Sequence, residues 1–274
     1  MKKRITIFLS NMMFGTTRGG FWLPFVFFMQ FQTSVAQVNI AGKKGLMLIP
    51  TAEASADGTF TLSALTVPPP HSFVRQNQLY GNVIYVAGLT VLPRLDIQFQ
   101  FINLYPTNNA PKIPLGLGER QLDFRYLLVK ETKKRPSVVI AATFPFSKFA
   151  PTSSTTWVAT KTWRTDKDVQ IQLSAGYGLP VYFFRDESNL NNYNFTTLMR
   201  VGKKNPETDY LAGEFGGIKL SYRQKVGVMS EWDGQKVNIG AYAVVGQRLT
   251  LQAALLAGKQ LGWGVTYQTP LRRE

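Results

Sequence analysis

The sequence predicts an all-β chain: one antiparallel transmembrane β-barrel of about twelve strands, with ten or fourteen also compatible. Three observations carry the expectation. Segments alternating between apolar and polar residues recur along most of the chain, while helical periodicity is scarce. The segments run to roughly nine to twelve residues, the length that crosses a bilayer at a tilt. Tight turns alternate with longer polar connections, such as 106–119, as barrel strands with unequal ends require.

The stretch "RLDIQFQFINLY" shows the pattern most clearly. Leu95, Ile97, Phe99 and Phe101 fall on one side of an extended chain, and Arg94, Asp96, Gln98 and Gln100 on the other. The dry side faces either a second sheet or lipid. Period-two segments also run over 59–67, 77–92, 120–129, 137–146, 154–163 and 168–178. In 120–129, Leu122, Phe124 and Tyr126 oppose Gln121, Asp123 and Arg125. The stretch 179–209 is the least regular, and one strand is expected there, near Phe195 to Val201. Beyond it, 211–224, 225–232, 236–245, 248–257 and 260–268 are expected strands, several joined by short turns at Asp233-Gly234, Gly246-Gln247 and Gly258-Lys259. A strand set of this size exceeds the seven to nine of a typical sandwich.

In a membrane barrel the polar face turns inward. Arg94, Asp96, Gln98, Gln100, Gln121, Asp123, Arg125, Glu214 and Lys219 are therefore the expected lumen-facing residues. Tyr80, Tyr105, Trp157, Trp163, Tyr177, Trp232, Trp263 and Tyr267 fall near strand ends, where interfacial belts place Trp and Tyr.

Composition narrows the chemistry. Of 274 residues, 45% are hydrophobic and 17% charged, against roughly 25% charged in average soluble domains. There is no cysteine, which removes disulfides, thiolate metal sites and cysteine nucleophiles. The single histidine, His71, rules out a histidine-rich metal centre, and no cofactor or metal is expected.

Residues 1–36 have the composition of a secretory signal. Lys2, Lys3, Arg4 and Arg18 supply positive charge and "FWLPFVFFM" a short apolar core, with cleavage expected after Ala36. Met12 or Met13 as the start would give a signal of ordinary length. Residues 37–274 are then a single barrel domain, with 37–58 preceding the first strand. Cleavage removes four cations and no acid, so +15 becomes +11. A basic exported chain favours anionic partners: outer-membrane lipid or lipopolysaccharide, and polysaccharide with its export machinery. Nucleic acid is not an expected partner after export.

Two segments resemble a known family. "GKKGLMLIPTAEASADGTFTLSA" (42–64), with Gly45, Leu46, Pro50, Thr51, Ala52, Asp57 and Gly58, resembles the N-terminal signature of the YjbH-like outer-membrane proteins. Residues 216–255, with Glu231, Trp232, Asp233 and Gly234, resemble that family's glycine-containing strand and following hairpin. The resemblance covers about a quarter of the chain. It implies an outer-membrane barrel associated with exopolysaccharide or capsule production and export, with no catalytic residue to carry over. The chain departs from the family by being short, and from barrels in general by "QTPLRRE" following Tyr267. In the residues themselves, Pro50 holds the preceding backbone extended and Asp57-Gly58 turns the chain into the first strand. The segment before Thr59 either enters the lumen as a plug or lines the rim.

The expected role is non-enzymatic. His71-Ser72 makes a poor catalytic pair, because neighbouring residues on a strand face opposite sides. Glu214 and Glu231 are near each other on successive strands, the one carboxylate pair suggestive of glycosidase chemistry. The cations in "GKKG", "KETKKRP" and "GKKNP" have the composition of solvated loops. Two rivals remain: an outer-membrane enzyme acting on lipid or glycan, and a soluble periplasmic β-barrel or sandwich that binds a ligand.

Overall fold

A computed structural model describes residues 37–72, 80–106, 118–145, 152–165, 167–185, 198–202 and 210–271. The expected signal segment, its cleavage point and alternative starts, most of "GKKNP" and most of the 106–119 connection lie outside these residues.

The alternating segments form strands close to where the pattern places them. They are β1 (Thr59–Val67), β2 (Tyr80–Leu92), β3 (Leu95–Pro106), β4 (Glu119–Val129), β5 (Ser137–Pro145), β6 (Thr155–Arg164) and β7 (Val169–Gly178). The short strands β8 (Val181–Arg185) and β9 (Leu198–Gly202) follow. Then come β10 (Gly213–Tyr222), β11 (Val226–Trp232), β12 (Val237–Val245), β13 (Leu249–Leu256) and β14 (Gln260–Pro270). Twelve of them close into a barrel in the order β1-β14-β13-β12-β11-β10-β7-β6-β5-β4-β3-β2. Neighbours are antiparallel throughout, and β1 pairs with both β2 and β14, which leaves no free edge. Among the described residues of the irregular stretch, β9 overlaps the expected strand and β8 is a further one. β8 and β9 pair only with each other, outside the barrel ladder.

The turns divide the barrel into two ends. The connections β2–β3, β4–β5, β6–β7, β10–β11 and β12–β13 are short and share an end with the start of β1 and the finish of β14. The β1–β2, β3–β4, β5–β6 and β7–β10 connections, all longer, lie at the opposite end, together with the short β11–β12 and β13–β14 turns.

The outer face of the wall is apolar, while its inner face mixes buried polar side chains with apolar ones, such as Ile84, Ile102, Leu127 and Leu256, that pack in one core with the N-terminal segment. Asp96, Gln98 and Gln100 are buried inside, while Leu95, Ile97, Phe99 and Phe101 on the same strand face out. Outside, Leu173, Ile218, Val228, Ile239 and Leu251 are exposed, with Val228 and Ile239 each 56% exposed. Trp157, Tyr177, Trp232 and Trp263 are exposed toward the long-connection end. Tyr126, Trp163, Tyr222 and Tyr267 are exposed toward the short-turn end. These aromatic side chains form an outer band near each end of the wall, whereas Tyr80, expected in such a band, is buried on the inward face of β2 with Asn82 and Ile84, and Tyr105 is half-buried. Tyr267 lies on β14 itself, three residues before the strand ends at Pro270.

Candidate functional site: a plug in the lumen

Residues 37–52 are buried without exception. They form a compact double turn. An isolated bridge joins Val38 to Lys44 and another joins Gly45 to Pro50. The Ile40 amide donates to the Met47 carbonyl at 2.8 Å and the Thr51 amide to the Lys44 carbonyl at 3.1 Å. Gly45 is required by this fold, since an added Cβ would sit 2.0 Å from the Ile49 carbonyl oxygen. Asn39 ties the two turns together, donating from its side-chain amide to the Leu48 carbonyl at 2.9 Å and accepting from the Lys43 amide at 2.8 Å. Of the two sequence alternatives for this segment, the structure takes the first: it is a plug.

The wall meets the plug on nearly every side. Lys43 Nζ is 2.5 Å from Asp123 on β4 and 2.7 Å from Thr143 on β5. Lys44 Nζ is 2.6 Å from Asp96 on β3, whose other oxygen accepts from Arg125 at 2.6 Å. Arg125 also donates to the Thr51 carbonyl at 3.0 Å and to the Glu53 carbonyl. The Ala52 amide donates to Thr160 on β6 at 2.7 Å. Glu53 accepts from Lys219 on β10 and Gln172 on β7, both at 2.6 Å. Gln37 donates to Gln252 on β13 at 2.6 Å. Leu46 packs on Gly217, Met47 on Gly240 and Ile40 on Gly262, where glycines in the wall make room for plug side chains.

The tightest anchor is Glu231, buried on β11. Its carboxylate accepts from the backbone amides of Met47, Leu48 and Ile49 at 3.0, 2.7 and 3.3 Å. Tyr210 closes the same loop from the other side, donating its hydroxyl to the Leu48 carbonyl at 2.5 Å. Burial raises the Tyr210 phenol well above its ordinary range. Burial also pushes the Lys44 ammonium down to about 8, although Asp96 opposes the shift.

Of the expected lumen-facing residues, Asp96, Gln98, Gln100, Gln121, Asp123, Arg125 and Lys219 are buried inside. Two are not. Arg94 is exposed in the β2–β3 turn, beyond the end of the alternating strand. Glu214 is exposed on the outer side of β10. Glu214 and Lys219 are five residues apart, so the pleat sends them to opposite faces. The same parity dissolves the suggested Glu214–Glu231 pair, because Glu231 points inward. "GKKG" is not a solvated loop: Lys43 and Lys44 are buried cations neutralising wall carboxylates. Unpaired acids on inward faces of the wall were the available signal for them. "KETKKRP" does lie exposed, in the β4–β5 turn.

The motif residues converge. Gly45, Leu46, Pro50, Thr51 and Ala52 belong to the plug, and Glu231 holds it. Gly58 ties its base, donating to the Thr90 carbonyl and accepting from the Leu271 amide, with Asp57 capping the turn. Asp233 and Gly234 form the β11–β12 turn, and Trp232 lies outside. No protein-family model and no curated protein matches this chain. His71 ends a 3-10 turn, and Ser72 donates to Asn82 at 2.9 Å.

Proposed function

We propose that the chain is a non-enzymatic outer-membrane β-barrel of a Gram-negative bacterium, closed by its own N-terminal segment. The observation that carries this reading is the apolar outer wall. An apolar exterior between two aromatic bands suits a hydrocarbon layer and its interfaces, and an interior that buries many polar and charged side chains suits a lumen. Water on the outer face would leave an unusually large apolar surface exposed. The short-turn end is then periplasmic. The test is the mobility of the detergent-extracted outer-membrane fraction on SDS gels. An unboiled band that shifts on boiling supports the reading, and release by osmotic shock without detergent contradicts it.

Within that reading, the role is support of exopolysaccharide production or export, or of the envelope itself. The support for it is the resemblance of 42–64 and 216–255 to the YjbH-like family, two segments that meet at Glu231 and Leu48. Any conducting role requires the plug to leave the lumen. A deletion strain that secretes less anionic polysaccharide, restored by wild-type protein and by His71→Ala alike, is the expected result. Loss of restoration by His71→Ala would favour a histidine-dependent enzyme.

A further inference from the structure

The outer wall carries a concave apolar groove of about 500 Å³ across β14, β1, β2 and β3. Its floor is set by two small residues, Ala64 and Ala87, among larger side chains. Ala64 pairs across the ladder with Tyr85, and Tyr85 with Phe101. Leu62 pairs with Ala87 on one side and with Tyr267 on the other. The groove therefore runs beside the β1–β14 closure, and Tyr267 stands at its short-turn side.

One cation, Arg248, is hydrogen-bonded to a residue that lines this groove. Arg248, exposed in the β12–β13 turn, donates to the Tyr267 hydroxyl at 3.3 Å. Arg94 is exposed in the β2–β3 turn at the same end of the barrel. Among the described residues neither has a carboxylate partner. The contrast is with Arg223, which pairs with Asp168, and Lys161, which pairs with Glu131, on the same rim. An apolar trough with the unneutralised Arg248 guanidinium beside one end is complementary to an amphiphile with an anionic phosphate head.

We propose that this groove holds one acyl chain of an anionic phospholipid, with the phosphate on Arg248. The inference rests on the membrane reading above, which places the short-turn end in the periplasmic leaflet. That leaflet supplies phospholipid, whereas lipopolysaccharide occupies the opposite one.

The test uses the full mature chain in neutral detergent, checked first for the heat-modifiable band. Absence of that band defeats the membrane reading itself and is scored before lipid is added. Native mass spectrometry then follows titration with dioleoylphosphatidylglycerol, with dioleoylglycerol, which has the same chains and no phosphate, in parallel. The first phosphatidylglycerol is expected to bind about tenfold more tightly, the worth of one charge-assisted contact. Arg248→Gln should erase that preference, and Ala87→Phe should weaken the first site for both lipids by filling the trough. Equal binding of the two lipids, or variants that bind as wild type does, overturns the proposal. Displacement by millimolar inorganic phosphate would show a free-anion site and also overturn it. A dimer lost in Ala87→Phe would assign the groove to a second copy of the chain.

Discussion

The Glu231 carboxylate lies 2.7 Å from the Leu48 amide nitrogen, across 183 residues of sequence. It fixes the tip of the plug to the wall with an acceptor that three successive amides share. Groups of this kind, buried and hydrogen-bonded, cost much more to break than they contribute when made. Glu231→Ala should therefore leave three buried N–H groups without their acceptor, at a cost of about 3 kcal/mol or more. The barrel ladder is untouched, so the heat-modifiable band should persist. The Lys43 and Lys44 peptide bonds should change from trypsin-resistant to cleavable, as read by N-terminal mass mapping.

Asp96 neutralises two buried cations, Lys44 and Arg125. Removing one partner from such a site leaves charge without compensation, a loss of about 3–5 kcal/mol. Asp96→Ala should lower the urea midpoint of the detergent-solubilised protein accordingly. Asp168→Asn is the matched control. Its partner Arg223 is exposed, and screened surface pairs contribute roughly 0–1 kcal/mol.

Gly45→Ala places a methyl group 2.0 Å from the Ile49 carbonyl oxygen, a backbone atom that cannot swing away. The plug turn must open or distort. The expected result is trypsin cleavage at Lys43 and Lys44, as in Glu231→Ala, with the barrel still closed. A variant that resists trypsin as wild type does would contradict the tight 45–50 turn.

Acid should loosen the plug through Glu53. Burial opposes ionisation of Glu53, but the Lys219 charge and the hydrogen bonds from Lys219 and Gln172 outweigh it, holding the carboxyl below its usual 4.5. A depressed folded value means that the stabilisation is complete above about 4.5 and disappears as pH falls through the folded value. The gap in urea midpoint between wild type and Glu53→Gln should be constant near neutrality and close below pH 4.5. A gap that widens with acid would reverse the sign and contradict the pairing.

Much of the wall was legible in the sequence, because alternation at period two encodes both the strand and its two faces. The boundaries of β1 follow directly from Asp57-Gly58 and the alternation after it. The inward faces of β3 and β4 were legible for the same reason. Arg94 and Glu214 depart from the expected lumen face for different reasons: one lies past a strand end, and the other has the opposite parity to Lys219 on β10. The plug was only half legible. Asp57-Gly58 marked a turn, but the extended backbone expected before Pro50 is instead a tight turn, closed by the Leu46 amide donating to the Ile49 carbonyl, and the plug's fit to Asp96, Asp123 and Glu231 depends on contacts across long stretches of chain, which no local pattern records. β8 and β9 were obscured because short strands paired outside the barrel lack the sustained alternation that two-faced burial imposes.

The central claim is that the apolar outer wall faces lipid. The chain has no cysteine, so single thiols can be placed at will. Val228→Cys and Ile239→Cys lie on the outer face, each at a site 56% exposed in the isolated chain, and Gln247→Cys lies in a short turn. The measurement is labelling by a membrane-impermeant maleimide in outer-membrane vesicles opened to expose both faces. The account predicts rapid labelling at position 247 and almost none at 228 and 239 until detergent is added and the protein unfolded. Equal, rapid labelling of all three in the folded protein would mean that water bathes the wall, and the membrane barrel would have to be given up.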